Sequence, residues 1–172
     1  MINEIKRLSR SYLPEFVYGG IDGTVTTFAI VSGVIGASLS SAIVLILGFA
    51  NLFADGFSMA VSNYLSTDSR NQLLHHKSNE LKTAFATFVA FLLVGFIPLF
   101  SFVIAALTKN PSLIQNQFKY SIVLTGFSLV AVGWMKGKII NKSRWFYSIQ
   151  TLLIGGIASG LAFLVGYLLK NI

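Results

Sequence analysis

Two aspartates within apolar runs are the residues of this sequence best suited to chemistry. Asp22 and Asp55 each lie in a stretch long enough to cross a membrane, and they are two of only six acidic residues among 172. A charged carboxylate at the centre of a membrane helix costs about 2.5–3.5 kcal/mol. Because acids within membrane spans generally serve a function, we predict that both bind a cation or a proton.

The helical neighbours of Asp55 supply further ligand atoms. Residues four apart on a helix share a face. That face of the second run carries Asn51, Asp55, Met59 and Asn63. Oxygen ligands alone suit Mg²⁺, Ca²⁺ or Mn²⁺, whereas a mixed set with a thioether, joined by Asp22, predicts a site for a borderline ion such as Fe²⁺. In the alternative, Met59 fills the core and both aspartates are protonated and hydrogen-bonded between helices.

Proton coupling follows from the same two acids. A carboxyl group in a medium of low dielectric constant holds a proton more readily, and a bound cation displaces that proton. Metal binding and proton release are therefore linked at one site. On this ground we expect Asp22 and Asp55 to carry the proton in an exchange of metal for protons.

The composition is typical of a membrane protein. Hydrophobic residues make up 54% of the chain and charged residues only 11%, against roughly 25% charged in soluble domains. This excludes a cytosolic enzyme, a disordered chain and a free nucleic-acid-binding domain, so we expect no nucleic-acid partner. The sequence has no cysteine, which excludes disulfides and thiolate ligands. It contains no nucleophile–base pair, phosphate loop or H-E-x-x-H pattern, so we expect no enzymatic activity.

Five runs are long enough to span a bilayer as helices, since a span needs about 20 apolar residues. They cover residues 16–37, 41–65, 83–107, 118–135 and 148–169. The sequence therefore predicts an all-α polytopic membrane protein, with one five-helix domain over residues 1–172. With the N-terminus in the cytoplasm, ten Lys and Arg residues fall inside and three outside. The positive-inside rule thus predicts a cytoplasmic N-terminus and an external C-terminus.

Proline and glycine residues shape the predicted spans. Pro98 removes a backbone donor inside the third span, so we expect a kink there. Gly19 and Gly23 form a G-x-x-x-G pair in the first span, and Gly156 and Gly160 form another in the fifth. Such pairs let another helix approach closely, and we expect helix packing at both.

Two loops on the predicted cytoplasmic side are rich in polar groups. The longest, residues 66–82, could hold a short amphipathic helix and carries His75, His76 and Glu80. These three are weak candidates for a loose metal site. A solvated polar loop is the alternative, because two or three ligands without a scaffold bind weakly. The second loop, residues 136–147, is strongly basic, and we expect its cations to anchor the spans at the membrane surface, with anionic lipid as a candidate contact.

Several segments resemble those of the vacuolar iron transporter family. Residues 16–29 (FVYGGIDGTVTTFA) are similar to its first-span signature, and residues 51–60 (NLFADGFSMA) to its second. Gly95-x-x-Pro98 and residues 155–160 (GGIASG) fit the third and fifth spans. The resemblance covers the whole membrane part in order. It implies a homodimer of five-helix subunits that exports Fe²⁺, and often Mn²⁺, from the cytoplasm in exchange for protons.

The resemblance also carries over to individual residues. It implies that Asp22 and Met59 line the translocation path near the dimer interface, with Asp55 in the same motif. Two departures from the family pattern concern positions that bear on metal affinity and proton coupling. Ser62 and Asn63 stand where members commonly have Gly-Glu, and the connection over residues 66–82 replaces a long glutamate-rich insertion. The chain resembles a minimal member of the family.

Taken together, the sequence predicts a divalent metal exporter with no permanently bound cofactor, in which Fe²⁺ or Mn²⁺ is the transported ion. Its expected partners are these ions, the lipid bilayer and a second copy of the chain. One alternative is a non-transporting metal sensor or scaffold subunit of the same fold. Another is a transporter of a different solute, with aspartates that serve only protons. We expect the plasma (inner) membrane of a prokaryote, from the small size and the lack of a targeting segment.

Overall fold

The computed structural model describes the backbone of residues 2–75 and 78–171, and the side chains of residues 12–75 and 78–171. All regular secondary structure in these ranges is α-helical, which confirms the predicted all-α class. The six helices are α1 (Ile2–Gly36), α2 (Ser41–Leu74), α3 (Glu80–Gly95), α4 (Ile97–Thr108), α5 (Pro111–Ile139) and α6 (Arg144–Leu169).

Four of these helices are long and apolar enough to cross a membrane. They are α1 from Tyr12 onward, α2, α5 and α6. The shorter α3 and α4 meet at a bend of 51° and form a fifth span if the bent pair is counted as one. A polytopic membrane fold is therefore confirmed, and its short connections make neighbouring spans antiparallel.

The second helix is longer than the sequence predicts. It ends at Leu74 rather than near Leu65, so its 34 residues extend about 51 Å, well beyond a hydrocarbon core of about 30 Å. Beyond Leu65 the helix is polar, and hydrogen bonds between side chains four residues apart stabilise it. For example, the Gln72 amide donates to the Asp68 carboxylate at 3.0 Å. The prediction of a long loop over residues 66–82 is thus wrong, since only a short connection separates α2 from α3.

Close packing between α1 and α3 fixes the position of the first span. A methyl group placed on Gly23 would lie 2.6 Å from the carbonyl oxygen of Phe91, and one on Gly19 would overlap the carbonyl group of Thr87. Only glycine allows the two backbones to come this near. The helix contact expected at Gly19 and Gly23 is therefore made with α3.

The glycines of α6 pack differently from the prediction. A methyl group on Gly156 or Gly160 would meet nothing within 4 Å in the described part of the subunit, and both residues are exposed. The close approaches are made by a neighbouring face of the helix, where Gly155 contacts Leu129 and Gly166 contacts the backbone of Gly33. The G-x-x-x-G spacing alone does not tell which helix meets this face, so packing at Gly156 and Gly160 against a helix outside the described subunit stays a prediction.

The break in the third span lies at Phe96, two residues before Pro98. Because Pro98 has no N–H, the carbonyl group of Val94 loses its usual helical donor. The buried hydroxyl of Thr24 lies 3.3 Å from that carbonyl oxygen, and Ser121 donates to the carbonyl of Pro98 at 2.6 Å. Neighbouring helices thus satisfy the polar groups of the bend, which a membrane environment requires.

The glycine contacts give a test of the packing. We expect Gly23→Ala to lower the free energy of unfolding by about 1–3 kcal/mol, because the added methyl group meets backbone atoms that cannot move aside. Gly156→Ala is the matched control and should change it by less than about 0.5 kcal/mol. Titration with SDS, followed by circular dichroism, measures both. Equal effects of the two substitutions would contradict the α1–α3 contact.

Candidate metal-binding site

The two intramembrane acids lie on adjacent antiparallel helices. Asp22 is half-buried on α1, and Asp55 is half-buried on α2. One turn after Asp22, the hydroxyl of Thr26 donates to the backbone carbonyl oxygen of Asp22 at 2.8 Å and not to its carboxylate. The site therefore presents two carboxyl groups that can accept a cation or a proton.

A polar cleft of about 440 Å³ lies between the beginning of α1 and the second half of α2. Its walls are formed by Pro14, Glu15, Tyr18, Met59, Ser62, Asn63, Ser66 and Arg70. Met59 lines this cleft, although its side chain is only 7% exposed and also belongs to the buried hydrophobic core. Since Asp55 lies one helical turn from Met59, the cleft leads from the end of the bundle towards the acids.

The predicted amide ligands occupy the two ends of this face. Asn63 lines the cleft, one turn nearer to its mouth than Met59. Asn51 lies one turn beyond Asp55, and its amide nitrogen is buried without a hydrogen-bond partner in the described part of the chain. A half-turn of that amide exchanges its nitrogen for its oxygen, which is an acceptor and a metal ligand. Both asparagines are thus placed to assist at an ion path.

Glu15 is a candidate that the sequence analysis missed. It lies seven residues before Asp22 on the same face of α1 and lines the polar cleft. One of its carboxylate oxygens is buried and has no hydrogen-bond partner among the described residues. The first apolar run begins at Phe16, so hydropathy places Glu15 outside the span, whereas α1 begins at Ile2. The spacing of seven to Asp22 was the available signal.

The loop candidates are not assembled into a site. His75 directly follows the last residue of α2, with a left-handed backbone conformation and an exposed side chain. His76 lies outside the described residues. The Glu80 carboxylate accepts a hydrogen bond from the Asn71 side chain. Within the described ranges no three His, Cys, Asp or Glu side chains lie close enough to hold one metal ion. Any ion between α1 and α2 must therefore also use thioether, amide, hydroxyl or water ligands, or groups from a second copy.

Comparison with known proteins assigns the family. The sequence model of the VIT family matches residues 13–80 and 73–167. The chain belongs to the VIT family. The resemblance that the motifs of the first two spans predict is thereby confirmed.

Individual relatives of this VIT family protein carry iron-transporter names. It is 26% identical to the vacuolar iron transporter of Plasmodium berghei, with 95% of this chain and 84% of that protein covered. It is 29% identical to vacuolar iron transporter homolog 4 of Arabidopsis thaliana, with 84% and 77% covered. A segment of 58 residues is 50% identical to the vacuolar iron transporter of Toxoplasma gondii and covers 34% of this chain and 19% of that protein.

Water in the cleft can be tested with single thiols, because the sequence contains no cysteine. We expect Ser62→Cys, in the cleft wall, to react at least tenfold faster with a charged methanethiosulfonate than Ser159→Cys. The control residue Ser159 lines an apolar groove on α6, where a thiol does not ionise readily. Stopped reactions analysed by mass spectrometry give the rates. Equal rates would show that the cleft is not open to water.

Proposed function

We propose that this VIT family protein moves Fe²⁺ or Mn²⁺ out of the cytoplasm in exchange for protons. The observation that carries the proposal is the polar cleft, which is lined by Met59 and leads towards two carboxyl groups on neighbouring membrane helices. Family membership supports a membrane metal transporter. The ion, the direction and the proton exchange are inferred from the ligand set and from the distribution of cationic residues.

The side chains along the cleft take successive roles in the proposed path. Glu15 and Asn63 receive the ion near the cleft mouth, where the charge of Glu15 attracts a cation. Met59 offers a soft ligand, which favours Fe²⁺ over Mg²⁺ and Ca²⁺. Asp55 and Asp22 then hold the ion within the span, because they supply the charge that compensates for lost hydration.

Repulsion between the two acids gives the proton exchange a physical basis. Two carboxylates side by side in a medium of low dielectric constant strongly disfavour being ionised together. A divalent cation neutralises both, and its departure must be balanced by proton uptake. One metal ion and one or more protons thus compete for the same pair of groups.

We propose that a second copy of the chain packs against this site. Tyr18, next to the acids on α1, is 59% exposed, and Ser58 and Ser62 are exposed on α2. Hydroxyl groups and half-exposed carboxylates have no hydrogen-bond partner in hydrocarbon, so lipid contact at this surface is unfavourable. In a two-fold homodimer the same face would meet its copy. The two sets of acids would then line one path, with ligands from both subunits.

Transport by carboxylate variants tests the proposal. We expect Asp55→Asn and Asp22→Asn each to reduce Fe²⁺ and Mn²⁺ flux in proteoliposomes at least tenfold, because each removes a charge that compensates the ion. The matched control is Asp68→Asn, an acid on the extension of α2 that is bonded to Gln72. Its flux should stay within twofold of the unmodified protein. Normal flux in folded Asp55→Asn protein would rule out the assigned site.

Two alternatives give other results in the same assay. Ser62 and Asn63, where the family commonly has Gly-Glu, favour a metal sensor or scaffold, which would bind metal without flux. A transporter of another solute would show no competition by divalent ions and no effect of Met59→Leu. We expect Met59→Leu to reduce Fe²⁺ flux more than Mn²⁺ flux, since it removes the soft ligand.

The membrane in which the protein acts is a separate inference. Apolar helices and transporter relatives establish an integral membrane protein. The relatives named above carry vacuolar names and come from eukaryotes, so they do not support the expected prokaryotic plasma membrane. That location stays a prediction.

A further inference from the structure

The connection between α5 and α6 concentrates positive charge at one end of the bundle. Residues 134–147, here named the basic hairpin, contain the four cations Lys136, Lys138, Lys142 and Arg144. No acidic residue follows Glu80 anywhere in the sequence, so the helices of this hairpin bring no carboxylate of their own. The positive charge of the hairpin therefore calls for an anionic partner from elsewhere.

Aromatic rings hold two of the four cations in place. The guanidinium carbon of Arg144 lies 5.5 Å from the centre of the Trp134 ring system, and Trp134 packs edge-to-face on Trp145 at 5.1 Å. The ammonium group of Lys136 lies 5.1 Å from the centre of the Tyr147 ring. A guanidinium stacked on an aromatic face keeps its in-plane N–H groups free. Those N–H groups match the oxygens of a phosphate.

The backbone carbonyl groups at the end of α5 do not need these cations as hydrogen-bond donors. At the end of α5 the N–H groups of Ile140 and Lys142 already bond the carbonyls of Lys136 and Gly137, at 3.2 and 3.0 Å. The lysine side chains are therefore not needed to cap the helix. Lys138, Lys142 and Arg144 are exposed, and so are the apolar side chains beside them, with Trp145 66% and Phe146 61% exposed.

We infer that the basic hairpin binds the phosphate head group of an anionic phospholipid. The cations match the charge of the head group, and the exposed aromatic side chains match the boundary between head groups and acyl chains, where Trp and Tyr are favoured. A soluble phosphate would engage the cations alone and would leave Trp145 and Phe146 exposed to water. Each Lys or Arg near an anionic membrane surface strengthens binding about fivefold. The inference does not depend on the proposed transport.

Tryptophan fluorescence offers a direct test, since the only two tryptophans of the chain, Trp134 and Trp145, both lie in the basic hairpin. The full-length protein is placed in phosphatidylcholine vesicles with a fifth of the lipid brominated on its acyl chains. That fifth is either phosphatidylglycerol or phosphatidylcholine. We expect brominated phosphatidylglycerol to quench at least 1.5-fold more strongly, because the anionic lipid is enriched beside the tryptophans.

Charge variants and a soluble competitor show whether the cations of the basic hairpin cause the preference for brominated phosphatidylglycerol. In the triple variant Lys138→Gln/Lys142→Gln/Arg144→Gln, the two brominated lipids should quench the tryptophan fluorescence equally. The double variant Lys109→Gln/Lys119→Gln, at the other end of α5, should keep the preference. Arg144→Lys should reduce the preference without abolishing it, because charge is kept and the planar fork is lost. Arg144→Lys keeps the test valid if the triple variant fails to fold, because it changes only one exposed side chain.

Three results would overturn the inference. The first is equal quenching by the two brominated lipids in the unmodified protein. The second is the same loss of preference in the Lys109→Gln/Lys119→Gln control, which would indicate a general effect of net charge. The third is loss of the preference on addition of inorganic phosphate at constant ionic strength, which would assign the site to soluble phosphate groups.

Discussion

Asp22 and Asp55 are half-buried carboxyl groups on neighbouring membrane spans. Lipid cannot solvate them, and the described residues provide neither a cation nor a hydrogen-bond donor for Asp22. Water, protons, metal ions or a second subunit must therefore compensate the charge. The polar cleft can meet this need in part, since its wall reaches Met59, one helical turn from Asp55. In the proposed homodimer, a second copy would cover the exposed hydroxyl groups on the same surface.

The packing of α1 keeps the acids available. Gly19 and Gly23 press one side of α1 against the backbone of α3, while Glu15, Tyr18 and Asp22 lie along another side that faces the cleft and the outer surface of the subunit. The bend at Phe96 belongs to the same arrangement, because the Val94 carbonyl, which lacks its usual helical donor, lies next to the Thr24 hydroxyl. One helix thus carries close backbone contacts with α3 on one face and its acidic side chains on another.

Much of this could be predicted from the sequence, because membrane spans have a strong compositional signal. The all-α class, the spans and the family followed from apolar runs and from the two Asp-Gly motifs.

The errors have physical causes. Hydropathy marks where apolar residues end, not where a helix ends, so the extension of α2 to Leu74 and the place of Glu15 inside α1 were missed. Glycine spacing at Gly156 and Gly160 carries no information about which helix meets this face. The ends of helices and the choice of packing face depend on tertiary contacts, which a single sequence does not display.

The most direct measurement of the central claim is a count of protons released when metal binds. Calorimetric titration of the purified protein with Mn²⁺, in two buffers of different ionisation enthalpy at one pH, gives this number. We expect proton release on binding, and its loss in the Asp22→Asn/Asp55→Asn variant. Metal binding without proton release, or release unchanged in that variant, would contradict a shared site for metal and protons at these two carboxyl groups.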